Sequence, residues 1–202
     1  MADYYPKSDA FYAPRPLPLL FCVDPRLSSA EFNAGLERLM DRVSGDPLLK
    51  GALEVGVVAF GNPPALLHPL QEEKGPFQVE WREQGEMDIA ATLDYAIGLI
   101  EEHKRAKRDE CFEYYCPHVV ILRLGRLDEG PLFVQRRIAT LAQERKLILV
   151  TVNVMDDDNA KDDDSALKNI GNNASLQVRA MSQFFGPLAD YLHAFIGPEG
   201  NS

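Results

Sequence analysis

The stretch Leu17-Pro18-Leu19-Leu20-Phe21-Cys22-Val23-Asp24-Pro25-Arg26-Leu27-Ser28-Ser29 constrains this chain more than any other. An apolar run ends on a carboxylate, a turn follows, and a helix start follows the turn. A run without polar alternation reads as a strand buried on both faces, the pattern of parallel sheets. In open α/β sheets, ligands bind at the carboxyl ends of strands, where strand order reverses. Asp24, at the tip of the first strand, is therefore the first candidate site residue.

The pattern beyond it predicts strands alternating with helices. Ser28 and Glu31 make a Ser-x-x-Glu capping box. Phe32, Leu36, Leu39, Met40 and Val43 then recur at helical spacing, and Gly45 and Pro47 close the helix. Residues 53–60 predict a second strand. Residues 65–70 follow Gly61-Asn62-Pro63-Pro64 and predict an antiparallel edge strand, since proline is tolerated at edges. Residues 71–84 read as a polar connection that contains Trp81. Asp88 caps a helix with Ile89, Leu93, Ile97 and Ile100 on one face. Its basic end, Lys104, Arg105, Lys107 and Arg108, reads as solvated and complements the helix dipole.

Residues 118–124 predict a third buried strand. Gly130-Pro131 opens a helix that buries Val134, Ile138, Leu141 and Ala142. Residues 147–154 predict a further strand. After the aspartate triplets 156–158 and 162–164 come a short helix over 165–170 and a last strand over 175–180. Ser182 is the predicted cap of the final helix, with Phe184, Phe185, Leu188, Leu192, Phe195 and Ile196 facing the core. The sum is an α/β fold: a doubly wound, mostly parallel sheet of Rossmann-like type, with one antiparallel edge strand and helices on both faces. The expected organisation is an extended arm over 1–16, one domain over 17–197 and a tail over 198–202.

A chain of 202 residues is long enough for one domain with its own core. Its formal net charge of -10 argues against nucleic acid, whose phosphates need a basic footprint, and against anionic membrane surfaces. Cations and basic protein surfaces remain suitable partners. No apolar run approaches the roughly 18 residues of a membrane span. Residues 1–16 lack the apolar segment of a secretory leader. The odd set of Cys22, Cys111 and Cys116 suits a reducing cytoplasm better than a disulfide framework.

The buried strand ending in Asp24, the capped amphipathic helix, the run Val55-Gly56-Val57-Val58-Ala59-Phe60-Gly61, the proline-rich edge run and the order of later elements resemble the von Willebrand factor A (vWA) domain. Within that superfamily the chain is similar to the intracellular bacterial branch that includes the tellurite-resistance-type TerY proteins. The family's metal-ion-dependent adhesion site uses Asp-x-Ser-x-Ser after the first strand, a Thr opening a later helix, and an Asp after the fourth strand. These oxygens hold Mg²⁺ or Mn²⁺. On that pattern Asp24 matches the first acid and Ser28 the second Ser. Arg26 stands at the first Ser, Met87 at the Thr, and Gly125 or Leu124 at the second Asp. A thioether and a glycine supply no oxygen ligand, and Arg26 brings a positive charge to the cation's place. The resemblance thus implies a degenerate metal site in which Arg26 pairs with Asp24. Asp88, Asp128 and Glu129 lie beside the missing positions and offer carboxylates from shifted places, so weak Mg²⁺ binding through Asp24, Ser28 and Asp88 stays open.

Other constellations carry less. Cys111-x4-Cys116-x-His118 is a three-ligand start for zinc without a clear fourth. The aspartate triplets lack the Gly and Glu of an EF-hand loop. His68, His103 and His193 have no metal-type neighbours in sequence and receive no role. Neither a nucleophile elbow nor a phosphate loop is present. The expected function is a non-enzymatic, cytoplasmic protein–protein interaction module with no bound cofactor. Its partner surface is Asp24, Arg26, Met87, Asp88 and Gly125, and Ser28 lies beside it. A Mg²⁺-dependent ligand-binding domain is one alternative. A small hydrolase or nucleotide-binding α/β enzyme is the other.

Overall fold

A computed structural model describes residues 15–73, 75, 77–82, 88–107, 113–125, 140, 146–155 and 174–197. The expectations for residues 1–14, Met87, Cys111, Asp128, Glu129, the helix opened by Gly130-Pro131, both aspartate triplets, the helix over 165–170 and the tail lie outside these residues.

Along the described chain the order is β1 (Leu17–Val23), α1 (Ser29–Gly45), β2 (Leu53–Ala59), β3 (Ala65–Glu72), α2 (Ile89–Ala106), β4 (His118–Leu124), β5 (Ile148–Val154), β6 (Ala174–Val178) and α3 (Ser182–Ile196). The strands form one sheet in the order β3-β2-β1-β4-β5-β6. Every neighbouring pair is parallel except β2 with β3. This is the doubly wound sheet with an antiparallel edge strand that the pattern predicts. β3 continues past the predicted end at Leu70.

β1 lies in the sheet interior and is buried at every position. Its alternate residues feed two cores, because successive side chains of a strand point to opposite faces. Leu17, Leu19, Phe21 and Val23 join the core under α1 and α3, whereas Leu20 and Cys22 join the core under α2. Helices therefore cover both faces.

α1 begins where Ser28 Oγ accepts from the Glu31 amide at 3.3 Å. Its buried face includes Phe32, Gly35, Leu36, Leu39 and Val43. The Phe32 ring packs against Phe21, Phe185 and Trp81 with centroids 5.5, 5.7 and 5.4 Å away. Gly35 gives the Phe185 ring its place, since a Cβ there would overlap that ring. Gly45 is the last helical residue and Asp46 caps the end. The Asp46 carboxylate accepts from the Leu48 amide at 2.9 Å and meets His193 Nδ1 at 2.6 Å, which ties α1 to α3.

Three expectations need correction. Ser182 does not cap α3: it is the first helical residue, and Met181 before it already has helical angles of φ -56° and ψ -34°. The Gln183 side chain accepts instead, from the Arg179 and Ala180 amides at 3.0 and 3.2 Å. Residues 77–82 do not form a merely polar connection. Val79 is buried, and its backbone bonds twice with the Asn33 side chain, at 2.9 Å through its carbonyl and 3.0 Å through its amide. Trp81 Nε1 donates to the Leu27 carbonyl at 3.0 Å. An amide on the outer side of α1 and two apolar residues thus fasten this segment over the helix start.

The basic end of α2 is the third case, because it is not wholly solvated. Glu54, buried in β2, meets His103 Nε2 at 2.6 Å and is also paired with Lys107. Burial raises the Glu54 carboxyl pKa, but the hydrogen bonds and charges of His103 and Lys107 outweigh it and hold the value below the usual range. His68 likewise meets Glu73, at 2.5 Å. His103, His68 and His193 therefore each have a carboxylate partner that sequence spacing did not reveal.

Candidate functional site at the ends of β1 and β4

From β1 the chain proceeds outward through β2 to β3, then returns to β4 on the other side of β1 and continues to β6. The order reverses between β1 and β4, so the crevice beyond their carboxyl ends is where an open α/β sheet binds ligands. Asp24 follows β1 directly, Leu124 ends β4, and Gly125 follows it. The Asp24 amide still belongs to the ladder, donating to the Leu122 carbonyl at 2.8 Å. Its carbonyl accepts from the Leu27 amide at 3.0 Å and closes the turn into α1. β1 and this turn thus fix both sides of the Asp24 backbone and aim its side chain at the end of β4.

The Asp24 side chain is completely buried. Oδ1 accepts from the Arg26 amide and from Arg26 Nε, both at 3.0 Å. Oδ2 accepts from Arg26 Nη2 at 2.6 Å and from the Leu124 amide at 3.1 Å. The Arg26 fork therefore takes both oxygens, the geometry in which guanidinium–carboxylate pairs are strongest. Nη2 also lies 3.3 Å from the Leu124 carbonyl oxygen. Burial pushes the Asp24 carboxyl up, but the Arg26 hydrogen bonds, the Leu124 amide and the Arg26 charge outweigh it and hold it below the usual carboxylate range.

The structure brings together Asp24, Arg26 and the end of β4. Ser28 and Asp88 are engaged elsewhere. Ser28 Oγ serves the first turn of α1. Asp88 Oδ1 accepts from the Ala91 amide at 2.9 Å, and its carbonyl accepts from Thr92 Oγ1 at 2.8 Å. Among the described residues, no hydrogen bond or ion pair joins either side chain to Asp24. Gly125 has φ +75°, a left-handed conformation suited to glycine, and its amide donates to the Val154 carbonyl at 2.9 Å. It offers no side-chain ligand.

These residues do not fit a divalent ion. Both Asp24 oxygens are already filled by donors, and a cation on them would sit against a guanidinium. The Leu124 side chain has no oxygen. No group of three or more His, Cys, Asp or Glu among the described residues is arranged to hold a metal. Of the residues named for zinc, Cys111 lies outside the described residues. The His118 ring is fully buried against Tyr191 and Phe195, with Nε2 2.9 Å from Tyr191 Oη, and burial lowers its pKa to about 4. Cys116 Sγ lies 3.9 Å from the Pro117 carbonyl oxygen.

The Glu54–His103–Lys107 cluster, at the opposite, amino end of the strands, is not among the constellations that the sequence pattern singles out. The available signal was a glutamate inside an otherwise apolar strand, since a buried carboxylate requires partners.

This architecture is shared with solved structures. Proximal thread matrix protein 1 from the mussel byssus superposes with a TM-score of 0.52 at 16% identity, over 90% of this chain and 47% of that one. A form of the same protein with a zinc-occupied MIDAS motif gives 0.52 and 16% over the same shares. The manganese-loaded TRAP protein of Plasmodium vivax gives 0.52 at 10% identity, over 94% of this chain and 75% of that one. The chain thus spans about half the length of the thread matrix protein. The fold is that of a von Willebrand factor A domain. No protein-family model and no curated protein matches the sequence. No helix among the described residues is long and apolar enough to cross a membrane.

Proposed function

We propose that this chain is a non-enzymatic protein-interaction module of vWA type, in which the Arg26 guanidinium stands in place of the metal ion. Its partner is another protein, which docks on the loops at the carboxyl ends of the strands, around Asp24, Arg26, Met87, Asp88 and Gly125. The observation that supports this reading is the two-pronged Arg26–Asp24 pair at the point where strand order reverses. A fixed internal cation gives the loop a permanent shape, so docking needs no added ion. The acidic composition favours a basic protein surface over nucleic acid or membrane. By resemblance to the TerY-type branch we place the module in the bacterial cytoplasm, beside stress-response or signalling proteins.

Calorimetric titration with Mg²⁺ and Mn²⁺ tests the first half of this proposal. No saturable heat is expected. Micromolar binding that disappears in Asp24→Ala would overturn it. For the second half, partners retained from the source cell by the wild-type chain are compared with those retained by Arg26→Glu, with EDTA present throughout. The expected result is a partner kept in EDTA and lost in Arg26→Glu. A partner lost in EDTA returns the function to the metal-dependent class.

A further inference from the structure

At the amino end of the strands, on the α2 face, a cavity of about 400 Å³ is lined by Ile97, Ile100, Glu101, Lys104, Lys146 and Leu147. This size falls within the ~300–1,000 Å³ of small-ligand sites. Ile97, Ile100 and Leu147 are 5%, 4% and 3% exposed and supply apolar walls. Lys104 is half-buried beside them. Among the described residues, no carboxylate or hydrogen-bond acceptor reaches bonding distance of its ammonium, and the Tyr114 ring centroid is 6.0 Å away. Burial lowers the Lys104 pKa, and the charges of Cys116 and Glu101 act in the opposite direction. The cavity thus joins apolar walls to an ammonium that has lost part of its water without gaining a bonded counter-ion among the described residues.

We propose that this cavity binds a medium-chain monocarboxylate, with its alkyl chain on Ile97, Ile100 and Leu147 and its carboxylate on Lys104. Single negative charge follows from the surroundings. Lys104 lies in the last turn of α2, where the helix carbonyls disfavour added negative charge, and Glu101 repels a dianion. A lysine presents a point charge rather than the fork that suits phosphate.

The test uses sodium octanoate and octan-1-ol as probes of the full chain, followed by calorimetry and amide chemical shifts. Octanoate is expected to bind saturably, to shift the Ile97, Ile100 and Leu147 amides, and to bind at least about tenfold more tightly than the alcohol, as a charged hydrogen bond requires. Lys104→Met keeps the side-chain stem and lowers octanoate affinity about tenfold, whereas Lys104→Arg keeps it within about threefold. Circular dichroism of both variants verifies folding. Equal affinity for acid and alcohol, unchanged affinity in Lys104→Met, or shifts confined to other parts of the chain would each overturn the proposal.

Discussion

The guanidinium of Arg26 holds both oxygens of Asp24 and also reaches the Leu124 carbonyl, so it bridges the ends of β1 and β4. Asp24 needs this partner because its side chain is fully buried. Losing one member of an enclosed pair costs about 3–5 kcal/mol. Arg26 is 37% exposed, and solvent screening reduces the expected cost of Arg26→Ala to about 1–2 kcal/mol. A cycle with Asp24→Asn, read from urea midpoints at pH 7, should give a coupling of about 1 kcal/mol or more. Strictly additive effects would mean that the pair contributes nothing to stability. The sign with pH also follows. The lowered Asp24 pKa gives stability that is present above its unfolded value, near 4, and lost as pH falls through the folded value.

Parts of this site were legible because they are local. Asp24 and Arg26 are two residues apart, and the apolar run before them and the capping box after them fix the strand, turn and helix. The Leu124 amide was not legible as a partner, because it reaches Asp24 only through the pairing of β1 with β4. Glu54 and His103 meet across 49 positions, and only the packing of α2 on β2 brings them together. Asn33 and Val79 are a third case: an asparagine on the outer side of a helix gives no sign that it will bond a distant backbone. Non-local polar pairs require the tertiary arrangement, whereas apolar periodicity does not.

Gly35 is required by its neighbour rather than by its backbone. It sits inside α1, where alanine is normally favoured by up to about 1 kcal/mol. Its Cβ would overlap the Phe185 ring, which is itself packed against Phe21 and Phe32. Overpacking of this kind costs about 1–3 kcal/mol. Gly35→Ala should therefore lower the urea midpoint despite its better helix propensity. The double variant Gly35→Ala/Phe185→Leu should recover part of the loss. A Gly35→Ala protein as stable as wild type would show that Phe185 can move aside.

Trp81 is the only tryptophan and reports on the segment fastened over α1. Asn33→Ala removes both side-chain bonds to Val79 and leaves the Val79 amide and carbonyl to find water. The expected loss is about 1–3 kcal/mol. Tryptophan emission should move to longer wavelength while far-ultraviolet dichroism is retained, because Trp81 loosens from Phe32 without unfolding the sheet. Unchanged emission in Asn33→Ala would mean that the Trp81 bond to Leu27 holds the segment by itself.

His118 should dominate the mild-acid behaviour of the fold. Burial lowers its pKa from 6.5 to about 4, so the folded state keeps the ring neutral where the unfolded chain would protonate it. Between these values the unfolded state binds more protons, and stability rises with pH. The contribution is fully present above about pH 6.5 and is lost as pH falls toward 4, to a total of roughly 3 kcal/mol. The lowered pKa values of Asp24, Asp46 and Glu54 act below that window. Urea midpoints measured from pH 7.5 to 4.5 should therefore fall steadily in the wild type. They should stay much flatter in His118→Gln, which keeps a polar partner for Tyr191 but does not titrate. An equal slope in the two proteins would assign the acid sensitivity to a group other than His118.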